Sequence, residues 1–174
     1  VEKKPSGAHG EKAFNSGDQV ADAKGSRNCY FVYVVSSLGF MYLIDYNLGE
    51  MKTVLRLHSA AINCIKISHN HNFIVTGGAD NFVRIWSIDS SELLFDFKLD
   101  SQVSGLAINN EDLILLSTLS GSVGTIDIQN KMFKGMVRSH SDKIIDMDYN
   151  KTKRILMTLS LDRTLRLWDC KNKT

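Results

Sequence analysis

The stretch LSLDRTLRLWDC, residues 159–170, decides how the chain folds. Leu165, Leu167 and the apolar part of Trp168 alternate with Arg166, the period-two pattern of a β-strand. The strand then closes on a Trp-Asp pair. Asp162 and Arg163 ahead of it have the polarity of a tight hairpin turn. Nearly the same phrase, GGADNFVRIWSI, stands at residues 77–88.

An internal repeat of the whole unit follows from that pair. HSAAINCIKI from His58 aligns with HSDKIIDMDY from His140, and Thr76 then meets Thr158, Asp80 meets Asp162 and Trp86 meets Trp168, each 82 residues apart. A fainter copy lies between them, with Ile126-Asp127 in the Trp-Asp place, and SSLGFMYLIDY puts Ile44-Asp45 there ahead of them. The closing strand therefore recurs at intervals of 42, 40 and 42 residues, a period that marks repeat architectures.

Each period holds short alternating bursts, such as KTVLRL, INCIKI, NFIVTG and FVRIW, separated by Ser, Asn, His and Gly clusters. That pattern predicts four antiparallel strands per period and an all-β fold. CYFVYVV and FMYLIDY supply only part of a first unit. Residues 1–27 carry the single proline and four of the twelve glycines, and they read as a linker or insertion loop ahead of the repeats at 28–174.

Period, four strands, a leading His and a closing Trp-Asp together resemble the WD-repeat β-propeller family from about Asn28 to Thr174. The resemblance implies a buried hydrogen-bonded chain of His58, Thr76, Asp80 and Trp86, repeated as His140, Thr158, Asp162 and Trp168. Chemically, the Asp accepts from turn N–H groups and the His ring, the His meets the Thr hydroxyl, and the hydroxyl meets the indole N–H, which only donates. Losing one member strands the others at about 1–3 kcal/mol each, so a repeat that abandons the set should abandon most of it. The third repeat does this, with Leu99, Ser120 and Ile126 in the His, Asp and Trp places, and the first has Leu38 and Ile44 in the last two.

About four blades are present, the first incomplete, whereas closed propellers usually hold more. The expectation is part of a larger, seven-bladed propeller. Stretches such as SGSVGTIDIQNK and VRSHSDKIIDMD resemble, beyond the general repeat, a family of large centriolar WD-repeat scaffolds. That resemblance implies a role in the centriole or basal-body wall, association with microtubules, and cilium assembly. Its partners would be centriole or axoneme wall proteins, with tubulin reached indirectly. The alternative on the same fold is a substrate receptor of a ubiquitin ligase or an assembly factor of a ribonucleoprotein.

Composition narrows this further. Lys and Arg number 21 against 19 Asp and Glu, with no basic run to suggest nucleic acid or a lipid surface. Cys29, Cys64 and Cys170 are scattered without metal or disulfide spacing. No apolar run approaches a membrane span and no secretory leader is legible, so cytoplasm and cytoskeleton are expected. His, Thr and Asp are also the residue types of a hydrolase triad. Their recurrence at one spacing, together with a Trp that a nucleophile does not need, points instead to architecture, so neither catalysis, a cofactor nor a small-molecule substrate is expected. His9, His69 and His71 have no ligand-spaced partners for a metal, and Gly77-Gly78 has no helix or Lys to make a phosphate loop. Arg138 and Lys143, flanking the His140 turn, are candidate rim contacts.

Overall fold

The computed structural model describes residues 19–20, 29–109 and 113–170. These form fifteen strands, and no helix occurs among the described residues. The chain divides into two compact units, residues 1–61 and 62–174.

The first unit is one antiparallel sheet in sequential order: β1 Gln19–Val20, β2 Cys29–Val35, β3 Phe40–Asp45 and β4 Glu50–Arg56. Of the segment expected to be a linker, only the two residues of β1 are described, paired with Cys29 and Tyr30; the remainder lies outside the described residues.

The second unit holds three sheets. They are β5 Ile62–Ile67 to β8 Leu93–Lys98 (with β6 Phe73–Gly78 and β7 Phe82–Ser87), β9 Val103–Ile108 to β12 Met132–Arg138 (with β10 Leu113–Thr118 and β11 Ser122–Asp127), and β13 Ile144–Asn150, β14 Ile155–Ser160 and β15 Leu165–Asp169. Every pairing is an antiparallel hairpin between consecutive strands, and the leading strands β5, β9 and β13 are neighbours.

The boundaries of the repeat differ from those expected. The sequence period reads as one four-stranded unit, yet its first strand joins the sheet before it: KTVLRL lies in β4, paired with β3, and KMFKGMV in β12, paired with β11. A period thus straddles two sheets, and 159–170 spans the second and third strands of its sheet rather than the third and fourth.

The repeat is written into the backbone as well. Gly39, Asn81, Gly121 and Arg163 all have positive φ, between 66° and 84°, and they stand 42, 40 and 42 residues apart. Each lies in the turn before a closing strand. Only glycine takes this conformation freely, so the Asn and Arg are held there by the turns around them.

Alternation in β9 and β10 explains the unbroken apolar run LILL at 113–116. Leu106, Ile108, Ile114 and Leu116 pack against Val75, Val83 and Ile85 of the preceding sheet. Their neighbours Ala107 and Leu115 pack against Met147, Tyr149 and Leu156 of the following one. The middle sheet is therefore buried on both faces. The last sheet is buried on one only: Leu165 and Leu167, predicted to face a layer, are 60% and 61% exposed, while their counterparts 82 residues earlier, Val83 and Ile85, are fully buried. No sheet covers that face among the described residues.

Candidate functional site

The site with the most converging polar groups surrounds His140, in the loop between β12 and β13. Its ring is fully buried. Nε2 lies 2.8 Å from Thr158 Oγ1 on β14, and Nδ1 lies 2.9 Å from Asp162 Oδ2 in the turn before β15. Trp168 Nε1 on β15 donates to Thr158 Oγ1 at 3.0 Å. The ionised carboxylate only accepts, so in the neutral ring Nδ1 carries the proton and Nε2 accepts from the Thr158 hydroxyl. Donation then runs in one direction: Trp168 to Thr158 to His140 to Asp162.

Two further residues, not singled out by the sequence pattern, complete it. Thr164 gives its hydroxyl to Asp162 Oδ1 at 2.6 Å and stands 3.1 Å from His140 Nδ1. Ser141 gives its backbone N–H to Asp162 Oδ2. Thr164 sits two residues past the Asp, but the matching place in the earlier repeat is Phe82, so comparing repeats conceals it.

The Thr164 hydroxyl holds the Asp162 carboxyl well below the usual carboxylate range, assisted by the His140 ring and by the N–H groups of Thr164 and Ser141. The sign is fixed by that lowering. The unfolded chain binds the proton more readily, so the stabilisation is complete above the ordinary Asp value of about 4 and is lost as pH falls below it. Asp162→Asn should therefore flatten the acid limb of a stability-versus-pH curve. Equal slopes for both proteins below pH about 4 would contradict this assignment.

In the earlier set, Trp86 Nε1 likewise donates to the buried Thr76 Oγ1 at 3.0 Å. Asp80, however, is paired with Arg84 Nη1 at 2.8 Å and accepts the Phe82 N–H. Arg84 is another partner the repeat pattern does not mark, although it sits four places beyond the Asp. His58 is buried in the first compact unit, its N–H bonded to Gly39 O, while Thr76, Asp80 and Trp86 lie in the second.

The third repeat replaces the set with apolar packing and hydroxyls. Leu99, Leu116 and Ile126 are buried, and Thr118, Ser120 and Ser122 bond one another at 2.9 and 3.3 Å.

The buried Thr158 oxygen is in no position to attack a substrate, because both its neighbours, an indole N–H and an imidazole nitrogen, are already engaged with it. Among the described residues no group of His, Cys, Asp or Glu is disposed to hold a metal ion. His69 Nδ1 accepts from Lys151 Nζ at 3.1 Å, and His71 lies in the same β5–β6 turn; His9 is outside the described residues. Cys64 and Cys170 are free thiols. Gly77 and Gly78 end β6 in strand conformation, directly before the hairpin turn.

Arg138 and Lys143 come together at an open pocket of about 440 Å³, between the β10–β11 turn and the β12–β13 loop.

A family model described as WD domain, G-beta repeat, matches residues 49–87 and 132–169. The chain is similar to WD repeat-containing protein 90 of Xenopus tropicalis, 31% identical over 158 residues, covering 79% of this chain and 8% of that protein. It is also similar to Centriole proteome protein 16 of Chlamydomonas reinhardtii, 32% identical over 114 residues, covering 65% of this chain and 5% of that protein. The chain thus spans less than a tenth of these relatives. Among solved structures, U3-55K superposes with a TM-score of 0.76 at 18% identity, over 83% of this chain and 46% of that one.

Proposed function

From a chain that carries WD40 repeats and folds as blades of a WD-repeat β-propeller, we propose a noncatalytic scaffold that presents rigid loops to protein partners in the centriole or basal-body wall. The observation that carries the scaffold reading is the His140 network. Its polar atoms bond one another, and among the described residues no buried side-chain polar atom lacks a partner, so nothing is left over for chemistry on a substrate. What the network does is hold the β12–β13 loop, through Ser141 and Asp162, against the turn that opens β15.

Similarity to WD repeat-containing protein 90 and Centriole proteome protein 16 supports the centriolar assignment. Microtubule association and a part in cilium assembly belong to the same proposal. The uncovered apolar face of the last sheet, whose counterpart in the β5–β8 sheet is buried by a neighbouring blade, supports placement within a larger propeller.

Proximity labelling from the protein in ciliated cells tests the assignment. Enrichment of centriole-wall proteins is the expected result. Enrichment of ubiquitin-ligase adaptors or of ribonucleoprotein subunits, with the centriole wall at background, would replace it with the receptor or assembly-factor role.

A further inference from the structure

We propose that the pocket between the β10–β11 turn and the β12–β13 loop is a docking site for an acidic protein segment, one that presents Asp or Glu side chains. This rests on the scaffold reading above and names the chemistry of one partner.

The pocket is lined by Ser120, Ser122, Arg138, Ser141, Asp142 and Lys143, with Leu119 the only aliphatic contribution. Two cations thus face one carboxylate. Arg138 and Lys143 are exposed and have no ion pair among the described residues. Asp142 is partly occupied, since its Oδ1 accepts the Lys143 backbone N–H at 2.7 Å. Three serine hydroxyls add donors suited to carboxylate oxygens.

The positive balance comes from the way the third repeat departs from the others. In the turns before β7 and β15 the corresponding residue is an acid, Asp80 or Asp162, whereas here it is Ser120. An Asp at 120 would put a second carboxylate into the pocket. With Leu99 in place of a His, no ring remains to need that acid, and the hydroxyl cluster takes its place.

The walls are held in position before anything binds. Gly121 O accepts from the backbone N–H groups of Ser139 and His140, both at 2.9 Å, and from Ser139 Oγ at 3.1 Å. Ser160 Oγ donates to Asp142 O at 3.1 Å. Loops fixed in this way lose little freedom on binding, and that favours affinity. The pocket is open along one side and poor in apolar lining, which suits a chain laid across it rather than an enclosed small molecule.

The test is fluorescence anisotropy of a labelled Glu/Asp-rich peptide against the full chain at low salt, with the Gln/Asn version of the peptide as control. Saturable binding is expected for the acidic peptide alone, and screening should weaken it as ionic strength rises. Arg138→Glu and Lys143→Glu should each weaken it by about ten-fold or more. Lys153→Glu, in the β13–β14 turn at the other end of β13, should leave it unchanged. Absence of saturable binding, or equal losses with Lys153→Glu, would overturn the acidic-segment site. Either result leaves the partners found by proximity labelling untouched, so failure here is distinguishable from failure of the scaffold reading.

Discussion

Gly121→Ala is expected to lower stability by roughly 3–5 kcal/mol, read as a shift of the urea midpoint followed through tryptophan fluorescence. Two costs combine. The residue has a φ of +84°, a conformation that costs an L side chain about 1–2 kcal/mol. An added Cβ would also lie 2.5 Å from His140 O and 2.7 Å from Asp142 O, both backbone atoms held by the hydrogen bonds described above. The loop would have to move off the turn, taking the His140 network with it. Gly49→Ala separates the two costs, because its φ is +66° but nothing lies within 4 Å of the added carbon. It should lose only about 1–2 kcal/mol. Equal losses at the two sites would show that the loop contact contributes nothing.

Thr158→Val should cost about 2–4 kcal/mol although it changes the side-chain volume very little. It leaves the Trp168 indole N–H and the His140 Nε2 facing a methyl group, in a place that is 1% exposed. A double-mutant cycle with Trp168→Phe isolates the pair. Removing the indole donor in the Thr158→Val background should cost less than in the wild type, by about 1 kcal/mol or more. Strict additivity would mean that the hydroxyl and the indole do not support one another, and the one-directional chain of donation would be wrong.

These residues are legible in the sequence because they recur. Thr76 and Thr158, Asp80 and Asp162, and Trp86 and Trp168 stand at a single spacing, and the structure gives the same 3.0 Å indole-to-hydroxyl bond in both sets. Their differences are not legible there. Asp80 turns to Arg84, while Asp162 turns to His140 and Thr164. The carboxylate follows whichever donors the local turn offers, and residues that differ between repeats, Phe82 against Thr164, vanish from a comparison built on what they share. Arg138 and Lys143 stand out in the sequence only as cations flanking a turn. Their meeting at one pocket depends on how a loop from one hairpin lies over the turn of another.

By itself the amino-acid sequence determined the all-β class, the spacing of 42, 40 and 42, most of the strands and the two polar sets. Each follows from side-chain pattern: period-two alternation marks a strand, polar clusters mark turns, and a buried His, Thr and Trp need one another as hydrogen-bond partners. Only the tertiary structure decided that β4 and β12 belong to the sheet of the preceding period, and that the β9–β12 sheet is buried on both faces while the last is buried on one. Strands are joined by backbone N–H and C=O groups, which nearly every residue carries alike. A pattern of side chains therefore says which face of a strand is apolar, but its neighbour along the sheet is settled only when the chain packs.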